Sequence, residues 1–275
     1  MKNIIAQSKG RSCFGEDADS YHKGRINYPS QIYEILSKYI EGYSLRDAFE
    51  VGPGTGQATD RLLNMGLTVT AIEPDLHLSN YLTEKLGNKY PQRLRVINKT
   101  FEETMFESES FDLGIAAMSW HWLDPLSSTI EAFRILKPGG CIALWWTVFE
   151  GRVKKDDFYT RTEHLFSVLS FTPSYQGKYI LPFALQTDLR ITGLASAGFK
   201  DIVNEVIDWE IEMNATQTRS LISTFSNVLQ METQARTSFL NEIERIVNEE
   251  YGGKVMRYFT SIIYLARKPY VLQRT

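Results

Sequence analysis

The sequence predicts an α/β fold built on a mostly parallel sheet, and three observations carry that reading. From residue 47 onward, short apolar runs alternate with amphipathic stretches, the pattern of successive strand, helix and strand units. A glycine-rich turn, Gly52-Pro53-Gly54-Thr55-Gly56, leaves the first of those runs, and an acid, Glu73, ends the second.

The first strand is Ala48 to Val51, and the turn after it enters a helix at about Gln57 or Ala58. Leu67 to Ile72 is rich in β-branched residues and is the second strand; Leu94 to Ile97 is a short third and Phe111 to Ala117 a fourth. All are expected to be buried in the sheet. The helix that follows has Asp124 as its cap and Pro125 in its first turn, with Leu126, Ile130 and Phe133 on one face, and the Pro138-Gly139-Gly140 run stops it. Cys141 to Val148 is a fifth strand. A helix over Leu189 to Ala197 leads through Gly198 into a sixth, Ile202 to Ile211, and Tyr258 to Ala266 is the last.

Three stretches fall outside this alternation: 1–45, 150–186 and 213–252, all rich in aromatic and helix-forming residues. They are expected to cover the carboxyl ends of the strands, where open α/β sheets bind ligands. The chain is thus read as one domain over 1–275, with its core at about 46–149, 187–212 and 255–268.

Composition narrows the function. With 275 residues, 43% of them hydrophobic, the chain can bury a sizeable core. A formal charge of -3 with mixed signs gives no electrostatic footprint for nucleic acid. The N-terminal stretch has no signal-peptide apolar run and no later stretch reaches the length of a bilayer span, so a cytoplasmic protein without a membrane partner is expected. Cys13 and Cys141 lie in no ligand spacing, and the histidines at 22, 77, 121 and 164 match no zinc pattern, so no metal is expected. Nothing in the sequence fixes an oligomeric state.

The glycine turn differs from a dinucleotide fingerprint, which would need its third glycine where Gln57 stands. That spacing disfavours a nucleotide-dependent oxidoreductase. A carboxylate at Glu50 also suits a cationic ligand better than a pyrophosphate, and S-adenosylmethionine carries both a sulfonium and an ammonium group. Glu73 follows Gly56 by seventeen residues, near the distance at which an acid meets a ribose, and a carboxylate can accept from both ribose hydroxyls. Alone it could be a helix cap before Pro74; paired with the glycine turn it reads as a ribose ligand.

With these motifs the chain resembles the class I S-adenosylmethionine-dependent methyltransferases, and among them the small-molecule group that includes trans-aconitate methyltransferase. The first motif of the family matches Glu50 to Gly56, its ribose acid matches Glu73, and its adenine segment resembles Lys99 to Glu103, although many relatives have Asp where Thr100 stands. The segment Ala117 to Asp124, the Leu136 to Gly140 run, and the spacing of Tyr21, Arg25, Tyr28 and Pro29 also resemble the group, with Ile26 where a Pro is usual.

The resemblance implies a Rossmann-like, seven-stranded sheet with a reversed last strand and S-adenosyl-L-methionine as cofactor. It implies cofactor contacts from Tyr21, Arg25, Glu50, Gly52, Pro53, Gly54, Thr55, Gly56, Glu73, Pro74, Phe101, Glu102 and Met118. The pocket for a small-molecule acceptor, methylated on a carboxylate or hydroxyl oxygen, would take Tyr28, Trp120, His121 and Trp146. His121 is the one placed candidate for a general base, but packing between Trp120 and Trp122 is the commoner role for such a histidine. Further aromatics, Phe149, Phe158, Tyr159, Phe166 and Phe171, could wall the pocket, and Lys154-Lys155 could attract an anion. A non-catalytic module that binds S-adenosylmethionine and acts as a partner or regulator is the alternative.

Overall fold

A computed structural model describes residues 3–149, 152–154, 157–176 and 180–270. The chain runs α1 (Gln7–Arg11), α2 (Ala18–Gly24), α3 (Ser30–Ile40), β1 (Asp47–Val51), α4 (Gln57–Asn64), β2 (Thr68–Ile72), α5 (Leu76–Leu86), β3 (Leu94–Ile97), β4 (Phe111–Ala117) and α6 (Pro125–Ile135). It continues through β5 (Leu136–Val148), α7 (Asp157–Phe166), α8 (Thr187–Ser196), β6 (Lys200–Asn214), α9 (Ala215–Ser223), α10 (Ser226–Leu229), α11 (Thr233–Glu250) and β7 (Lys254–Arg267). Short 3₁₀ turns lie at Phe101–Glu103, Trp120–Trp122 and Phe183–Leu185.

The strands form one sheet in the order β3-β2-β1-β4-β5-β7-β6. β1 to β5 pair in parallel, whereas β7 is antiparallel to both β5 and β6. This is the seven-stranded, Rossmann-like arrangement with a reversed last strand. The order turns back at β1, where β2 lies on one side and β4 on the other, so a crevice opens beyond the carboxyl ends of these strands.

Strand alternation sorts the core into two faces. Ala48, Val69, Ile115, Ala143 and Trp145 pack with Ile32, Leu36, Leu62 and Leu82 from α3, α4 and α5. On the other face Phe49, Val51, Ala116, Leu144 and Trp146 pack with Ala132, Ile135 and Leu194 from α6 and α8. Of the N-terminal stretch, α3 therefore belongs to the layer on the sheet. A third cluster joins α7, α9, α10 and α11 to the projecting ends of β6 and β7 through Met213, Val255 and Phe259.

Four sequence expectations change. β3 is not buried throughout, because it is an edge of the sheet. Asp124 does cap α6, accepting from Ser127 N at 2.8 Å. The buried face of that helix, however, is Ser128, Thr129, Ala132 and Ile135, with Leu126 and Ile130 exposed and Phe133 packed at the margin. The helix ends at Ile135, before the Pro138-Gly139-Gly140 run, which lies inside β5. There the register slips between Phe111 and Leu113, while Gly139 N donates to Lys268 O at 2.8 Å. β6 and β7 are also longer than expected, and their extra length carries the third cluster.

Candidate active site

At the tip of β1 the backbone turns through Gly52, Gly54 and Gly56, all with positive φ (63°, 59° and 88°), which L side chains rarely adopt. At Gly52 a Cβ would come within 2.7 Å of the Ser119 Cβ, so the turn and the loop after β4 pass in close contact. Ser119 Oγ donates to Val51 O across that contact. Met118, the residue before Ser119, also has a positive φ of 60°, and its sulfur accepts from Thr147 N at 2.9 Å. The strained backbone of Met118 thus lies where β1, β4 and β5 end together.

Glu73 directly follows β2. Its Oε2 accepts from Gly54 N at 3.0 Å and its Oε1 from Asp75 N at 3.0 Å, which aims the carboxylate under the glycine turn. Burial pushes Glu73 up to about 7, helped by the charges of Asp75 and Glu50 and opposed by the two backbone donors. Asp75 caps α5 through His77 N and Leu78 N, and it also accepts from Gly15 N at 3.1 Å.

A cavity of about 490 Å³ opens over this region. Of the residues singled out from the sequence, Tyr21, Arg25, Tyr28, Gly52, Pro53, Gly54, Thr55, Glu73, Pro74, Phe101, Met118, His121 and Trp146 line it. Four others do not. Glu50 follows Ala48 onto the α4 face of the sheet, where its Oε2 accepts from Thr59 Oγ1 at 2.6 Å and its Oε1 is buried without a partner. Burial pushes Glu50 up to about 7, against the Thr59 hydrogen bond. Gly56 is the N-cap of α4, and a Cβ there would collide with Leu82 of α5 at 2.4 Å. Trp120 is buried beside Phe101, whose ring stacks on Phe49 at 5.7 Å. Glu102 turns to Arg11, which grips it with two bonds of 2.9 and 2.7 Å.

Arg11 also donates to Trp122 O at 2.9 and 2.6 Å, tying α1 across the turns after β3 and β4. α2 is fastened to the glycine turn in turn: His22 Nδ1 lies 3.0 Å from Thr55 Oγ1, and Gln57 Nε2 donates to Arg25 O at 3.1 Å. Arg25 Nη2 donates to Thr224 O at 3.1 Å, its guanidinium sits 4.9 Å from the Tyr21 ring, and its Nε is buried without a partner. Thr100 donates from Oγ1 to Glu103 at 2.9 Å and caps its own turn.

His121 is buried, in ring contact with Trp122 and Phe183 at 5.0 and 6.1 Å. Its Nδ1 accepts from Trp146 Nε1 at 3.0 Å. Burial, followed by the charge of Arg25, pushes its pKa down to about 3. A nitrogen already engaged by a donor, on a buried ring pushed toward its neutral form, weighs against a general base at His121 and toward the packing role.

Beyond His121 the cavity continues between walls from Phe149, just after β5, and from α7 and the stretch after it, among them Phe158, Tyr159, Phe166 and Phe171. Ile222 and Phe225 close it from the α9 side. The sequence reading missed Arg11, Phe14 and Arg257, which also line it. A signal existed for Arg257: it shares the parity of Val255 and Phe259 in β7, so it points inward with them. Lys154 pairs with Glu210 at 2.7 Å, and Lys155 lies outside the described residues. Among the described residues no group of three or more His, Cys, Asp or Glu could hold a metal ion, and no helix is long and apolar enough to cross a membrane.

Residues 49–144 match the profile of a family described as a methyltransferase domain. An uncharacterized methyltransferase of Mycobacterium tuberculosis is 32% identical over 140 residues, 51% of this chain and 54% of that protein. The chain spans about half the length of the curated relatives it matches. In fold it is similar to phosphoethanolamine N-methyltransferase 2 of Haemonchus contortus, solved with S-adenosylhomocysteine and phosphomonomethylethanolamine. That likeness has a TM-score of 0.56, 16% identity, and covers 94% of this chain and 60% of the other. A putative methyltransferase of Bacillus halodurans is similar with a TM-score of 0.55 and 18% identity, over 88% of this chain and all of that one. The fold is therefore shared with these methyltransferase structures, and the segment that matches the family contains the glycine turn, Glu73 and the His121 turn.

Proposed function

We propose that this chain is an S-adenosylmethionine-dependent methyltransferase acting on a small-molecule acceptor. The observation that carries the reading is the carboxylate of Glu73. Its two oxygens are already aimed by Gly54 N and Asp75 N beneath a turn of left-handed glycines, and each keeps lone-pair capacity for a ribose hydroxyl. The donor set suits the cofactor: an acid for the ribose, bare backbone at Gly52 and Gly54 for close approach, and the partly unpartnered guanidinium of Arg25 for a carboxylate. When bound, S-adenosylmethionine supplies an electrophilic methyl group on a sulfonium.

The chain's own part is to align and to exclude water. Tyr21, Arg25 and Tyr28 bring the N-terminal segment over the glycine turn, and the aromatic walls from α7 and α9 enclose the acceptor end. A cavity of about 490 Å³, mostly apolar and enclosed by helices, supports a small acceptor rather than a nucleic acid. A formal charge of -3 supports the same choice.

Calorimetry tests the reading. S-adenosylmethionine and S-adenosylhomocysteine should both bind, and Glu73→Ala should weaken each by about tenfold or more, the scale of a hydrogen bond to a charged group. Unchanged binding by a folded Glu73→Ala protein would remove Glu73 from the site, and failure of either ligand to bind the parent chain would remove the function.

A further inference from the structure

The indole N–H of Trp146 can only donate. At 3.0 Å from His121 Nδ1 it therefore fixes that nitrogen as an acceptor, and the proton of the neutral imidazole must sit on Nε2. Two strands build this pair. His121 lies in the turn just after β4, Trp146 lies in β5, and the pairing of Ala117 with Trp145 sets the end of one beside the other. Trp146 is itself fixed between Phe183 at 5.5 Å and Tyr264 at 6.1 Å, and Tyr264 is anchored through Ala184 O at 2.6 Å.

The other ring nitrogen, Nε2, has no hydrogen-bond partner among the described residues, and His121 lines the cavity. Arg25 lines the same cavity, and its positive charge opposes a second one on His121. Together they present a neutral N–H donor and a positive charge to whatever occupies the acceptor end.

We propose that His121 is a specificity-determining donor, locked by Trp146, and that the cavity takes acceptors presenting an oxygen lone pair to His121 Nε2–H and rejects those presenting an ammonium. This deepens the methyltransferase reading and rests on it for the word acceptor. An oxygen of a carboxylate, phenolate or carbonyl satisfies the buried N–H, which otherwise forfeits a hydrogen bond. An ammonium would face a donor with a donor and a positive charge with its own sign, so discrimination comes from repulsion as well as attraction. To serve as a base instead, the ring would have to move its proton to Nδ1 and break the Trp146 contact. Trp146 is thus a positioning residue, acting through His121.

Protein labelled with ¹⁵N-histidine reads the tautomer directly in long-range ¹H–¹⁵N spectra, with His121→Gln to assign the ring. The expected spectrum of the ligand-free protein has one proton, on Nε2, unchanged from about pH 5 to about pH 9. With S-adenosylhomocysteine added, cinnamate and cinnamamide should each shift the Nε2 resonance, and cinnamylamine at the same millimolar concentration should not. A larger shift for cinnamate than for cinnamamide would assign the oxygen as anionic, and equal shifts as carbonyl-like. In Trp146→Phe the ring should populate both tautomers, with cinnamate binding about tenfold weaker. A proton on Nδ1, a titration within that pH range, equal shifts with the amine, or no shift with either oxygen probe would overturn the proposal. The tautomer is read without any ligand, so it tests the proposal even if Trp146→Phe does not fold. Absence of S-adenosylhomocysteine binding would instead strike the methyltransferase reading alone.

Discussion

Glu50 and Glu73 sit at the ends of neighbouring strands, and strand alternation decides what each meets. Glu73 lies beyond the last paired residue of β2, where the glycine turn can reach it; Glu50 is still inside β1 and points under α4. Both acids and their spacing were legible in the sequence, but the parity that removes Glu50 from the cavity requires the boundary of β1 to within one residue. A pH prediction follows for Glu50. Its carboxyl is raised in the folded protein from an ordinary 4.5 to about 7, so the folded state holds its proton more tightly than the unfolded chain. The associated stability is fully present below the unfolded pKa and is lost as pH rises through the folded one. Glu50→Gln keeps an oxygen for Thr59 and removes the ionisation. Thermal unfolding should therefore show little difference between variant and parent near pH 5, and at pH 8 a variant more stable by roughly 1–3 kcal/mol, or a few degrees in Tm. A gain of the same size at both pH values would mean that ionisation of Glu50 is not the cause.

At the scale of elements, the helices and strands follow from local pattern, while the fastenings between them do not. The cap and Pro125 marked the start of α6, yet counting apolar residues chose its wrong face, because close packing on the sheet selects the small Ser128 and Ala132 over Leu126 and Ile130. Arg11 and Glu102 are 91 residues apart, and Trp146 and His121 are 25 apart. No periodicity joins such pairs; only the sheet order does. α1 and α2 are short, five and seven residues, and too short to be stable helices by themselves. Their order rests on contacts to the glycine turn, Glu102, Trp122 and Thr224. If residues 14–25 close over bound cofactor, their amides should gain protection from hydrogen exchange when S-adenosylhomocysteine is added, and Arg25→Ala should diminish that gain. Flat protection across 14–25, with normal ligand binding by Arg25→Ala, would make the segment scaffold only.

Across the whole molecule, the sheet and its cover are held by different cores. The two clusters on the sheet faces draw on every strand except the far ends of β6 and β7, whereas the buried members of the third come from no strand other than those two. The β6 and β7 pair continues past β5 to Asn214 and Lys254, and α9 to α11 are the excursion between them. The end of the cavity beyond His121 is walled by this excursion, through Ile222 and Phe225, and by α7, through Phe158 and Phe166. Such an arrangement would let the cover open while the sheet stays folded, and in the proposed methyltransferase this would admit an acceptor without releasing the cofactor. Hydrogen exchange in low denaturant should then show amides of α9 and α11 opening at a lower free energy than those of β1 and β4. Ile243→Ala, at a fully buried position of the third cluster, should lower that opening free energy by about 2–4 kcal/mol. The gap between cover and sheet amides should widen accordingly, since the sheet clusters lose no contact. If the amides of α11 and β4 instead lose protection together, with the same dependence on denaturant in parent and variant, cover and sheet unfold as one unit, and acceptor entry must use the mouth of the cavity as it stands.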